Sequence, residues 1–213
     1  AADIGEPGEI DCATCHVVHP ATAFVLRMDG PVSMIWDETY VLDFGGPSNL
    51  CANCHQSRRA EPNVTNPGET FDITSTHYGP HHGAQANVVE GVGFAEISGS
   101  MPYPNPGAGH AGAGMTCYEC HMGADYADGE SGHTWWPSVA ACTRCHQGAD
   151  DFDINGFQTE THAKLEALRD RLIELGVVEY VEADAAYEPV VGTYPMVQAQ
   201  AFFNWIGLEE DRS

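Results

Sequence analysis

Four segments of this 213-residue chain repeat one pattern, C-x-x-C-H, and together they use all eight of its cysteines. The units are Cys12-Cys15-His16, Cys51-Cys54-His55, Cys117-Cys120-His121 and Cys142-Cys145-His146. C-x-x-C-H is the attachment signature of c-type haem, in which two thiols bond to the porphyrin edge and the adjacent imidazole reaches the iron as proximal ligand. Paired C-x-x-C units also build structural zinc sites, where four soft ligands close a tetrahedron. A zinc ribbon, however, has no need of a histidine after every pair. With no thiol left for a disulfide framework, the pattern predicts four covalently attached haem c groups, held by Cys12, Cys15, Cys51, Cys54, Cys117, Cys120, Cys142 and Cys145.

Four such macrocycles dictate the fold expectation. Each is a large apolar plate for the polypeptide to wrap, so much of the core is expected to be cofactor and the apo chain mostly unfolded. The expected class is a multihaem cytochrome c, a single domain over residues 1–213. It should be mostly irregular coil with short helices and one or two small hairpins around four haems, plus a C-terminal helix. Val25, Leu26, Val32, Met34, Ile35, Val41 and Leu42 supply the hairpin material, with Asp29-Gly30 as the turn. Between Thr76 and His110, glycine and proline are too dense for long elements. The motif spacings are unequal, so there is no repeat of fixed period. The helix is expected at about 160–176, where Leu165, Leu168, Leu172 and Leu175 form one apolar stripe. Thr159 or Thr161 is the expected cap and Gly176 the stop. That helix would lie across the haem core as a lid, with the apolar run from Tyr194 to Leu208 docking nearby.

The 31 acidic and 8 basic residues give a formal charge of −23. Such a balance excludes nucleic acid and anionic membrane surfaces as partners. No stretch approaches the roughly 20 apolar residues of a membrane span. The Ala-Ala-Asp start reads as a mature N-terminus after signal removal, and haem c is attached outside the cytoplasm. An extracellular or cell-surface location follows, or a periplasmic one. Asn63-Val64-Thr65 is a glycosylation sequon consistent with export. The segment from Asp151 to Gly156 matches the first half of a calcium loop, but His162 stands where the bidentate glutamate belongs.

Each iron has a second axial position. His16, His55, His121 and His146 are proximal, and the other seven of eleven histidines are His19, His77, His81, His82, His110, His133 and His162. Methionine is the rival ligand and raises the potential, but Met122 is too close to its own His121 to turn back. Bis-histidine ligation is therefore expected throughout. His110 and His133 each precede an attachment motif across a turn containing glycine or proline, a placement that lets a short loop present an imidazole. His77, His81 and His82 are alternatives for a third position, and His162, on the expected helix, is the weakest candidate.

The segments "CHVVH", "HYGPHHGAQA", "H…CYECHM" and "HTWWP…CTRCH", with the C-terminal helix, resemble the extracellular multihaem cytochromes that polymerise into conductive filaments. The likeness is to the OmcE-like tetrahaem cytochrome nanowire type and its archaeal relatives. The segment from His110 to His146 also looks like the pentahaem nitrite reductases, and in that wider group the histidines matching His110 and His133 are distal ligands. In the filament family a histidine three residues after the first proximal ligand binds the last haem of the next subunit, and His19 matches that position. The family shows one histidine with an aromatic where this chain has His81-His82.

The resemblance implies an electron-transfer protein, not an enzyme, that assembles head-to-tail with identical subunits and meets redox partner proteins or extracellular acceptors. In that assembly the iron of Cys142, Cys145 and His146 is the one expected to lack a ligand from its own chain. The alternatives are a soluble periplasmic shuttle and a reductase with an open haem. Spare histidines speak against the reductase.

Overall fold

The structure, a computed structural model, describes residues 10–17, 25–63, 68–81, 83–123 and 132–211. The attachment motifs lie on short helices whose starts are fixed by local side chains. In α1 (Cys12–Cys15) the Asp11 carboxylate accepts from the amides of Ala13 and Thr14 while the Thr14 hydroxyl accepts from the Asp11 amide. Two orphan donors of the first turn are thereby satisfied. His16 opens β1 (His16–Val17), which pairs antiparallel with β2 (Val25–Leu26), placing His16 opposite Leu26. A second ladder joins β3 (Val32–Ser33) to β4 (Val41–Leu42).

The expected turn at Asp29-Gly30 therefore closes no hairpin. Val25–Leu26 is drawn back onto the first motif, and the Asp29 carbonyl accepts from buried Asn49 Nδ2 at 3.0 Å. Asn49 belongs to α2 (Pro47–Cys54), which carries the second motif and opens with proline at its first position, where a missing N–H costs nothing. After β5 (Thr70–Ile73) come α3 (Gln85–Glu90), α4 (Cys117–His121) with the third motif, and α5 (Val139–Cys142) leading into the fourth. One apolar cluster surrounds the second motif, formed by Val32, Met34, Leu42, Ala52, Ala86 and Val92.

The C-terminal portion has a different character. The long helix is α6 (Phe157–Glu174), and it starts earlier than the stripe predicts. Asp153, not Thr159 or Thr161, caps it. Its carboxylate accepts from the amides of Gln158 and Thr159 and from the Thr159 hydroxyl, reaching across a turn in which Asn155 and Gly156 take φ of 56° and 75°. Asp153 is the second aspartate of the calcium-like run, and here it closes a helix end. At the other end Gly176, at φ 70°, ends the helix as expected. The Val177 amide there returns to the Leu172 carbonyl, a left-handed C-terminal closure.

β6 (Val178–Val181) and β7 (Ala186–Pro189) form a hairpin, while β8 (Gly192–Pro195) pairs with the distant β5. The chain then enters α7 (Met196–Glu209). Leu165 and Leu172 of α6 bury against Ile73, Val177, Val178, Phe202, Phe203 and Trp205. No residue of a C-x-x-C-H motif belongs to this cluster, and the buried face of α6 is half of a side-chain core. The physical reason is that the apolar faces of α6 and α7 satisfy each other.

Side chains of α7 also tie this core to the first half of the chain. Asn204 exchanges two hydrogen bonds of 2.8 Å with the Ala95 backbone, and Gln200 donates to the Pro62 carbonyl. Among the described residues no helix is long and apolar enough to cross a membrane.

Candidate haem-ligand site

The four attachment motifs follow one another in space as they do in sequence. α2 touches α4, and α4 touches α5. The first of these contacts is a hydroxyl relay. Ser48 Oγ accepts from the Tyr118 amide at 2.9 Å and lies 2.8 Å from Thr116 Oγ1, which in turn meets the Glu119 carboxylate at 2.8 Å. Ser48 and Thr116 are both buried, so the start of the third motif is fixed on the second.

The thiols report the same succession. Burial, and then the nearby Cys51 and Cys54, push the Cys15 thiol above its usual range. Cys117 donates to Cys51, pulling Cys51 down to about 7 and raising Cys117. Burial, and then Cys142, raise Cys120. Motifs one to four thus form a chain of neighbours, and none of the eight cysteines is fully enclosed.

The imidazoles give a sharper test of fit to haem. Two imidazoles ligating one iron from opposite sides, each with a bond of about 2 Å and a ring centre about 1.1 Å beyond, stand about 6.3 Å apart centre to centre. His16 and His133 are 6.3 Å apart with ring planes tilted by 35°. His110 and His146 are 6.2 Å apart with planes at 88°. Each pair joins one proximal histidine to one of the two loop histidines singled out by their placement. In sequence the partners are far apart, and only the fold brings them together. His133 is presented by a 3-10 turn, Gly132–Thr134, and His110 by a glycine-rich turn in which its carbonyl accepts from the amides of Ala113 and Met115.

The other two proximal histidines are held by their outer nitrogens. His121 Nδ1 lies 2.9 Å from the Trp135 carbonyl. A carbonyl can only accept, so Nδ1 carries the proton and Nε2 keeps its lone pair. His55 Nδ1 lies 2.9 Å from Gln85 Oε1, and Gln85 Nε2 donates to the Asp211 carbonyl at 3.3 Å. That second bond orients the amide, so the oxygen faces His55 and the imidazole again donates from Nδ1. A histidine whose Nδ1 donates to a carbonyl is fixed in the tautomer and orientation that metal ligation by Nε2 requires. Gln85 and Trp135 are functional residues that sequence reasoning missed. Neither has a local signal, because each acts through a contact made only in the fold.

The remaining candidates are distributed as follows. His77 is exposed, its amide donating to Ser75 Oγ. His81 is exposed at φ 72°, with Nε2 3.4 Å from Arg58. His162 is exposed on α6. His19, His82 and residues 64–65 of the sequon lie outside the described residues. Among the described residues no second imidazole stands in ring contact with His55 or His121. His146, of the motif expected to lack a ligand from its own chain, has the His110 ring 6.2 Å away. Counting spare histidines could not say which iron was left over.

Met122 follows α4 with its amide donating to the Tyr118 carbonyl. Among the described residues no group of three or more His, Cys, Asp or Glu side chains is arranged to hold a bare metal ion. The histidines meet instead in twos. No family model, curated protein or solved structure matches the chain.

Proposed function

We propose that this chain is a tetrahaem c-type cytochrome whose work is electron transfer. The observation that carries the reading is the meeting of His16 with His133 and of His110 with His146 at the bis-imidazole span. It stands beside four attachment motifs that neighbour one another in order. A haem bound in this way supplies one-electron redox chemistry with both axial positions filled. The protein's part is to hold the imidazoles, fix their tautomers and keep successive motifs close. Two ligands from the chain would leave no site for substrate at those two irons.

The reading is tested by quantifying haem and zinc per chain in protein matured with a haem-attachment system. Four haems with low-spin spectra are expected. Stoichiometric zinc, or haem below four with all motifs intact, overturns it.

The finer reading is a subunit that polymerises head-to-tail into an extracellular filament, with His19 as the ligand passed to the next copy. Its support is the motif resemblance together with His55 and His121, against which no second imidazole stands in ring contact among the described residues. A head-to-tail contact that does not close grows as an open helix. On this geometry the iron that receives His19 is one whose proximal ligand is His55 or His121. His19→Ala should keep four haems yet yield monomers with one high-spin iron. Normal filaments from that variant, seen by negative-stain microscopy with every haem low-spin, would mean that His19 is not the ligand passed between copies but a local or surface residue.

A further inference from the structure

The loop that presents His133 does a second task two residues later. His133 faces His16 of the first motif, while the Trp135 carbonyl accepts the Nδ1 proton of His121 of the third motif. The two contacts belong to one tight piece of backbone. Gly132 opens it at φ 58°, the Trp135 amide returns to the Gly132 carbonyl at 3.2 Å, and the Trp136 amide donates to Thr134 Oγ1 at 3.2 Å.

Trp135 itself sits at φ 61°, in the left-handed region that bulky residues rarely occupy. Its indole does not explain the conformation, since the side chain is 47% exposed. What the conformation positions is the carbonyl. Backbone held in a sparsely populated region persists where the surroundings over-determine it, and here the surroundings are a ligand loop on one side and an imidazole on the other.

We propose that residues 132–136 couple the haem on Cys12 and Cys15 to the haem on Cys117 and Cys120. In this coupling Trp135 is a positioning residue for His121. The proposal rests on the haem reading above. A proton donated from Nδ1 to a carbonyl makes the imidazole a stronger donor through Nε2, which favours the ferric state of its iron. With His133 anchored on the first iron the carbonyl is held against His121. With the anchor released, the hydrogen bond loosens and the third-motif haem becomes easier to reduce. A change of ligation at one centre is thereby felt at another through a single turn of backbone.

The test uses the full-length holoprotein and resolves the haems by spectroelectrochemical titration together with electron paramagnetic resonance. His133→Ala should turn one haem high-spin and, in addition, shift a second haem that stays low-spin about three- to tenfold toward the ferrous form at fixed potential. Trp135→Gly and Trp135→Val both remove the indole, but glycine accepts the left-handed conformation and valine does not. The valine variant should reproduce the shift of the second haem with every iron still low-spin, and the glycine variant should not.

If His133→Ala converts one haem and leaves the potentials of the other three unchanged, the coupling is wrong while the haem reading survives. If it converts none, His133 is not a ligand and the coupling falls, while the haem count still decides the haem reading. Equal behaviour of the glycine and valine variants would also overturn the role of Trp135, and His133→Ala decides the coupling even if the valine variant does not accumulate.

Discussion

Replacing Leu172 by alanine separates the side-chain core from the attachment sites. Leu172 is 1% exposed and packs in the cluster with Phe202, Phe203 and Trp205, each no more than 1% exposed. Alanine is the better helix former, so α6 itself is not weakened. The loss is the transfer free energy of the removed carbons plus the cavity they leave. Leu→Ala in a core costs about 2–5 kcal/mol, more where the site cannot collapse. Three interlocked aromatic rings around the vacancy place this case at about 3–4 kcal/mol. For a chain of this size each kcal/mol moves the midpoint by about 2–4 °C, so Tm should fall by roughly 6–16 °C. Far-UV circular dichroism of the holoprotein measures the midpoint, and the visible spectrum at 25 °C reports the haems. The reasoning predicts a large fall in Tm with unchanged low-spin bands. A fall below about 2 °C would mean that Leu172 is not packed as described. Altered haem bands in the folded variant would mean that α6 lies on a haem after all.

His110→Ala should retain four attached haems and convert the one on Cys142 and Cys145 to high-spin, read by the same resonance spectra; four low-spin haems would break the His110–His146 pairing. Gln85→Leu removes the acceptor of the His55 proton and should raise the potential of the haem on Cys51 and Cys54 by no more than about 40 mV, the equivalent of one neutral hydrogen bond; a fall in that potential would contradict the assigned tautomer. The Thr159 hydroxyl, with the amides of Thr159 and Gln158, holds the Asp153 carboxyl below its usual range. Its capping of α6 is therefore fully present above the ordinary carboxylate pKa of about 4 and is lost as pH falls through the lower folded value. The Thr159 amide resonance should follow that titration, and a midpoint above the ordinary value would refute the cap.

The parts of this molecule legible in its sequence are those written in local chemistry. The four motifs, the stripe from Leu165 to Leu175 and the stop at Gly176 need only a window of a few residues. His110 and His133 were recognisable as ligand candidates because they stand just before a motif across a turn. Their partners were not, because the meeting of His16 with His133 or of His110 with His146 is a property of three-dimensional closure. The same limit hid the pairing of β5 with β8 and sent Asp29-Gly30 to a hairpin, whereas β2 pairs with β1 and β3 with β4. Asp153 was passed over as the cap, which the sequence reading gives to Thr159 or Thr161. A carboxylate two residues from another looks the same whether it closes a helix or ligates calcium, and only the amides of Gln158 and Thr159 tell the two apart.

The side-chain core between α6 and α7 has a consequence for the order in which such a protein is made. It buries Phe202, Phe203 and Trp205 without help from any motif residue, so this part of the chain can become compact on side-chain packing alone. The eight cysteines meanwhile all retain some exposure, and the segments that carry them are short helices with few buried residues. If the motifs receive haem, a maturation enzyme would meet a substrate already half built, with a closed C-terminal knot and an open run of four targets.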